Sequence, residues 1–243
     1  SSAASDVYKR QVIVCVVDNG SSDQTTQILE ELRKESIPQS MEMDIIRLNK
    51  NHGTTISRNL GIKKILSRIK NLCILDSDTV INKNAVLDML QILHENKKNG
   101  IVGPKMATSG GVEQQSGRNI PSMKLKLLKV MPVKSLRRRG EEMERIADIH
   151  ENVAPVGYLM SACWFMRADF VRENGLLDEK IFYAPEDVEF CLRAWRNGYR
   201  VLWDRRAEII HEWQRLSRKK LISKHNWEHI KGLLYLYNKY GLW

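Results

Sequence analysis

Residues Val12–Asp23 read VIVCVVDNGSSD, and the two halves of this stretch decide the fold class. Val12–Val17 is an unbroken apolar, β-branched run, the pattern of a strand covered on both faces. Asp18-Asn19-Gly20-Ser21-Ser22-Asp23 follows as a dense turn signal that also offers N-caps. Thr25–Lys34 then reads as a helix with Ile28, Leu29 and Leu32 along one face.

The same rhythm continues outward. Asp44–Leu48 is a short strand, Asn49–Gly53 a loop and Thr54–Ile69 a helix. Leu72–Leu75 is a short buried strand closed by Asp76-Ser77-Asp78. A helix over Asn84–Lys97 stops at Gly100, and Ile101–Pro104 begins another strand. Strands alternating with helices specify an α/β fold on a mainly parallel sheet flanked by helices. Ligands of such sheets bind beyond the carboxyl ends of the strands. Both acidic clusters, Asp18–Asp23 and Asp76–Asp78, fall at those ends.

Gly110–Val156 breaks the alternation and reads as a flexible excursion, with a basic insertion at about residues 113–150 carrying Lys124–Lys129 (KLKLLK) and Arg137–Arg139. The pattern resumes with a strand at Ala162–Arg167 and a helix over Asp187–Asn197 closed by Gly198. A strand at Arg200–Trp203 leads to Ile209-Ile210-His211, and Leu216–Tyr240 is helical. Asp6–Gln11, DVYKRQ, resembles translated sequencing-adapter text, so Ser1–Gln11 are set apart from the fold. The expected organisation is a catalytic-type domain over 12–214 and a helical extension over 215–243.

Composition narrows the classes. Apolar residues are 42% of the 243, enough for a core, and no apolar run approaches the ~20 residues of a membrane span. The start carries no secretory signal pattern. Cys15, Cys73, Cys163 and Cys191 form no CxxC pair, which speaks against a zinc site and for a reducing, cytoplasmic setting. The net charge of +10 fits nucleic acid, an anionic membrane or phosphorylated small molecules. No nucleic-acid recognition motif accompanies it.

Two carboxylates one residue apart at a strand end, Asp76 and Asp78, can reach one hard cation, Mg²⁺ or Mn²⁺. A lone pair of this kind is also a common turn or cap. Glu186-Asp187 after Pro185 fit first-turn acids favoured by the helix dipole, and Asp18 and Asp23 fit turn or N-cap residues. Taken alone, Arg58 fits a solvated helix residue and His211 a strand-end histidine. Trp195, Trp203 and Trp227 read as core; Trp164 and Trp213 read equally as core or as part of the acceptor side.

Taken together, four blocks carry a resemblance. VVDNGSSDQTTQIL (Val16–Leu29), NHGTTISRNLGIKK (Asn51–Lys64), LCILDSDTVI (Leu72–Ile81) and the run from Ala162 to Val201 containing APED, followed by His211, resemble a family-2 glycosyltransferase of the GT-A fold, a Rossmann-like nucleotide-diphospho-sugar transferase, in its rhamnosyltransferase-like branch. The resemblance spans Val12 to about His211. It implies an inverting, hexosyl-type transferase of cell-surface polysaccharide synthesis that uses a dTDP- or UDP-sugar donor. It implies a saccharide or lipid-linked acceptor, no nucleic acid, and peripheral contact with the inner face of the cell membrane. By that likeness Asp18 binds the nucleobase, and Arg58 and Asn59 lie near the nucleotide. Asp76, Asp78 and His211 hold the divalent metal. Asp187, beside Glu186, is the general base. A nucleotidyltransferase, or an inactive nucleotide-sugar-binding module of the same fold, is the alternative.

Two departures stand out. The family opens with a strand of the type VSIIIVTYN, and nothing here corresponds to it. The expectation is therefore a first strand missing, an N-terminally truncated chain and little turnover. Ser161 stands where relatives often have Gly.

Overall fold

The computed structural model describes residues 12–35, 38, 40–130, 133–146, 151–212 and 224–241. Ser1–Gln11, the first part of the expected C-terminal helix and Trp213 lie outside the described residues. The chain divides into two compact units, Ser1–Ile69 and Lys70–Trp243.

In the first unit, β1 (Val12–Asp18) pairs in parallel with β2 (Met41–Arg47), with Asp18 opposite Arg47. Helix α1 (Thr25–Lys34) connects them, and α2 (Thr54–Ile65) follows and packs on β1. Two loops meet at the carboxyl ends of these strands. Gly20 has φ +76°, and a Cβ there would lie 2.4 Å from the Lys50 carbonyl carbon. Only glycine allows that turn to close on the second loop. Asn19 locks the contact: its Oδ1 accepts from His52 N at 2.9 Å, and its Nδ2 donates to Gly53 O at 3.2 Å.

The second unit is built on β3 (Asn71–Leu75), β4 (Thr79–Val80), β5 (Asn99–Ala107), β10 (Cys163–Arg167) and β11 (Arg200–His211), in the order β3-β10-β5-β11-β4. Short β6 (Glu113–Gln114) pairs with β5, and β8 (Val153–Pro155) with β11. Outside this sheet, β7 (Gly117–Arg118) pairs with β9 (Tyr158–Leu159). The fold is α/β, but the sheet is mixed: β5 and β11 are parallel, while β10 runs antiparallel between β3 and β5. The reason is the excursion after β5. It leaves from the carboxyl end of β5 and returns at that end, where Cys163 sits opposite Leu75, so β10 must run backwards.

Helix α3 (Lys83–Glu95) covers one face of this sheet. Asn82 caps it by accepting from Ala85 N at 2.9 Å. Ala85, Met89, Ile92 and Leu93 bury against Val102, Met106, Leu202 and Ile209. Each large side chain of that set contributes roughly 1.5–3 kcal/mol on burial. Arg167, at the end of β10, closes the far end of α3 by donating to Leu93 O and Asn99 O, both at 3.1 Å.

The excursion is more ordered than the reading of a flexible loop allows. It holds α4 (Met123–Val130) and α5 (Lys134–Glu144), which pack on each other. Their anchor is Glu144, 3% exposed, whose Oε1 accepts from Lys126 Nζ and Tyr158 Oη, both at 3.0 Å. After β10 come α6 (Ala168–Asn174), α7 (Glu186–Arg196) and the last helix α8 (Lys224–Tyr240). Trp164 is fully buried and stacks on Phe190, with ring centroids 5.4 Å apart, so its core reading holds. Trp227 departs from the core reading: it is 59% exposed, because α8 turns its Trp227–Ile230–Leu234 stripe outward.

Candidate active site

The turn Asp76-Ser77-Asp78 is held from both sides. Asp76 N donates to Ala162 O at 2.9 Å, and Thr79 returns to Asp76 O through its amide (3.1 Å) and its hydroxyl (2.6 Å). The next two residues form β4, which pairs antiparallel with the end of β11 and places Thr79 opposite His211. Glu212 N donates to Asp78 O at 2.9 Å and completes the seam. A two-residue strand thus brings Asp78 against a histidine far along the chain.

The result is a convergence. Asp76, Asp78 and His211 each offer one ligand atom, and these atoms lie within 4.8 Å of one another. His211 is 5% exposed, and the two aspartates are half-buried. The His211 Nε2 lies 3.5 Å from Asp78 Oδ1. Its Nδ1 is 2.7 Å from Gln114 Oε1, while Gln114 Nε2 donates to His211 O at 2.8 Å. Two carboxylates and one imidazole are a donor set that suits a divalent cation such as Mg²⁺ or Mn²⁺. The residues present fit such an ion.

A second acidic group sits at the start of α7. Glu186 is buried, and its Oε1 accepts from Ser161 Oγ at 2.9 Å. Ser161 and Ala162 are neighbours in one turn, so that turn touches Glu186 with one residue and Asp76 with the next. Half-buried Asp187 follows; its Oδ1 accepts from Val188 N at 2.8 Å. Asp187 is electrically close to Arg118 and Tyr158. Burial pushes the Tyr158 phenol well above its ordinary value, and the charges of Asp187 and Glu144 add to the shift. Burial opposes the charge on Arg118, but Tyr158, Glu144 and Asp187 outweigh it and raise the guanidinium further.

Asp18, Arg58 and Asn59 lie in the first unit. Asp18 ends β1, is 6% exposed and accepts from Ser21 N at 2.9 Å and from Thr26 Oγ1 at 3.4 Å. The Ser21 side chain is the main cause that holds its carboxyl below the usual range, with burial pulling the other way. On α2, Asn59 is buried and Arg58 half-buried. Gln114, Arg118 and Tyr158 are site neighbours that sequence reading missed. Gln114 and Arg118 fall inside the segment taken as an insertion and Tyr158 just after it, and no local pattern distinguishes them there.

The family model described as glycosyl transferase family 2 matches residues 2–174, more than half of the chain. The chain belongs to glycosyl transferase family 2. Among characterised relatives of this family-2 chain is the low-salt glycan biosynthesis hexosyltransferase Agl10 of Haloferax volcanii. It is 24% identical over 201 residues, 81% of this chain and 57% of that protein. The poly(ribitol-phosphate) beta-N-acetylglucosaminyltransferase TarS of Staphylococcus aureus is 23% identical over 83% of this chain and 30% of its own length. The chain therefore spans about half, or less, of the curated relatives it matches. Among solved structures, GalNAc-T7 with UDP, GalNAc and Mn²⁺ aligns with TM-score 0.67 at 15% identity, over 96% of this chain and 42% of the other. The mannosyltransferase PcManGT of Pyrobaculum calidifontis with GDP-Man and Mn²⁺ aligns with TM-score 0.55 at 12% identity, over 98% and 59%. The fold of this family-2 chain is GT-A.

Proposed function

We propose that the chain carries the catalytic region of an inverting glycosyltransferase that moves a hexosyl-type sugar from a nucleotide diphosphate to a saccharide or lipid-linked acceptor in cell-surface glycan synthesis. The observation that carries this reading is the convergence of Asp76, Asp78 and His211 within 4.8 Å in a family-2 chain. The relatives named for hexosyl and N-acetylglucosaminyl transfer support the reaction class. The structural neighbours, holding Mn²⁺ with UDP or with GDP-mannose, support metal and nucleotide use. A dTDP- or UDP-sugar donor and the rhamnosyltransferase-like branch belong to this proposal.

In this reading Asp76, Asp78 and His211 hold Mg²⁺ or Mn²⁺. When bound, that cation would offset the charge gathering on the departing diphosphate. Asp187 takes the proton of the acceptor hydroxyl, with Glu186 beside it fixed by Ser161. The acceptor oxygen forms its bond to the anomeric carbon as the bond to phosphate breaks. The nucleoside diphosphate leaves with that electron pair, and the proton ends on Asp187. In the first unit, Asp18, Arg58 and Asn59 bind the nucleotide. The exposed basic residues of α4 and α5 meet an anionic membrane at the cytoplasmic face. No described helix is long and apolar enough to cross a membrane.

The test is a panel of nucleotide sugars incubated with the chain and Mn²⁺, following release of free nucleoside diphosphate. Release that stops with chelator and is restored by Mn²⁺, but not in Asp78→Asn, supports the assignment. Nucleotide binding without any release would favour the inactive binding module instead.

A further inference from the structure

Gln114 spends both ends of its side chain on one residue. Its Nε2 donates to the His211 carbonyl at 2.8 Å, and its Oε1 lies 2.7 Å from the His211 Nδ1. Because the amide nitrogen is already committed to a carbonyl oxygen, the atom facing the ring is the amide oxygen. That oxygen has no hydrogen, so the ring nitrogen opposite must be the donor. Both residues are buried, Gln114 at 6% and His211 at 5% exposure, so water does not compete for these bonds. In a neutral imidazole a hydrogen on Nδ1 leaves Nε2 as a bare lone pair. That lone pair lies 3.5 Å from Asp78 Oδ1. With the ring neutral, two acceptors face each other across a gap that a cation would satisfy.

We propose that Gln114 is a positioning residue that fixes His211 in its Nδ1–H tautomer and so presents Nε2 to a divalent cation shared with Asp76 and Asp78. The inference rests on the metal reading above, but its first half concerns the metal-free protein. The geometry is set by β6, where Gln114 pairs with Met106 of β5, two strands from Asp78. Histidine ligands ordinarily donate their second ring nitrogen to a carbonyl or carboxylate, and loss of that partner typically lowers metal affinity 10–100-fold. A purely structural role is the rival. In that case the Nε2 donation to the His211 carbonyl matters, and the ring contact is incidental.

Gln114→Glu and Gln114→Leu separate the two roles. Glutamate keeps an acceptor for Nδ1–H and loses the donor to the carbonyl; leucine loses both. The chain is labelled with ¹⁵N-histidine, and the ring nitrogens of His211 are assigned by comparison with His211→Asn. Long-range proton–nitrogen spectra of the metal-free protein then report the tautomer, and Mn²⁺ affinity is read by electron paramagnetic resonance. The expected result is an unprotonated Nε2 in the wild type and in Gln114→Glu, with Mn²⁺ affinity largely kept by Gln114→Glu. Gln114→Leu should weaken Mn²⁺ about 10–100-fold and mix the tautomers. An Nε2–H tautomer in the wild-type spectrum overturns the proposal and needs no variant to fold. Equal weakening of Mn²⁺ in Gln114→Glu and Gln114→Leu overturns it in favour of the structural role. A wild type with bare Nε2 that binds no Mn²⁺ supports the tautomer assignment and overturns the metal reading on which the function rests.

Discussion

Asp187 opens α7 with its carboxylate half-exposed and already accepting one amide hydrogen. Nearby Arg118 is a permanent cation. Asp187→Asn keeps the shape and the amide contact but cannot take a proton. Its kcat is expected to fall on the order of 10²–10⁴-fold while Mn²⁺ affinity stays at the wild-type value. Stopped assays alongside Mn²⁺ titration check this; a loss of metal binding, or unchanged kcat, would move the base elsewhere. At this scale the sequence is uneven as a guide. Asp76 and Asp78 are legible because two carboxylates at a strand end share a local pattern. Their meeting with His211 depends on the Thr79–His211 register, and Gln114 on the Met106 register. Thr79 and Gln114 each meet His211 across about a hundred residues or more, a span that no window of neighbouring residues covers.

Helix α8 shows how an element reaches the site without lining it. A Cβ on Gly232 would lie 2.4 Å from Ala184 O and 2.9 Å from Pro185 Cδ, immediately before Glu186-Asp187. In a free helix Gly→Ala gains about 1 kcal/mol. Here the methyl meets backbone, and overpacking of this kind costs typically 1–3 kcal/mol. Gly232→Ala is therefore expected to lower the unfolding midpoint and reduce kcat together; a stabilised, fully active variant would refute the close approach. The same helix is fastened by Glu189, fully buried on α7, which accepts from Arg193 Nη2 (2.9 Å), Lys239 Nζ (2.8 Å) and Tyr240 Oη (2.7 Å). Burial alone would raise Glu189, but Arg193, Lys239 and Tyr240 outweigh it and hold the carboxyl below its ordinary value near 4.5. A depressed folded value means the stabilisation is complete above about pH 4.5 and is lost as pH falls through the lower folded value. Chemical unfolding between neutral pH and pH 3 should show that loss in the wild type and a flatter profile in Glu189→Gln. Identical slopes would show that the carboxylate is not what holds α8. The strands and helices up to β5 follow local periodicity and are legible, except the two-residue β4, which is defined by its pairing with β11; the antiparallel entry of β10 is a matter of where the excursion returns, and α4 and α5 are tied down by Glu144, a contact between distant positions.

Across the whole molecule the charge is +10, from 39 basic and 29 acidic residues. Its meaning depends on which basic groups are already used. Lys126 is committed to Glu144, and Arg138 pairs with Glu142 at 2.8 Å on an exposed face, where such a pair is worth little. Lys124, Lys134, Arg137 and Arg139 are exposed with Arg138. Leu125 is 2% exposed, so α4 turns that apolar side chain inward, while Lys124 on the same helix is exposed. Contact with a membrane on these terms is electrostatic, about 1 kcal/mol per basic residue at an anionic surface, and fades within a Debye length of ~8 Å at physiological salt. The chain should float with vesicles rich in anionic lipid and not with neutral ones, and should detach as salt rises. Replacing Lys124, Lys134, Arg137, Arg138 and Arg139 with Gln, while leaving Lys126 to hold Glu144, should abolish flotation without lowering the unfolding midpoint. Flotation that survives both the five replacements and high salt would place the contact on another surface and remove the charge of α4 and α5 from the account.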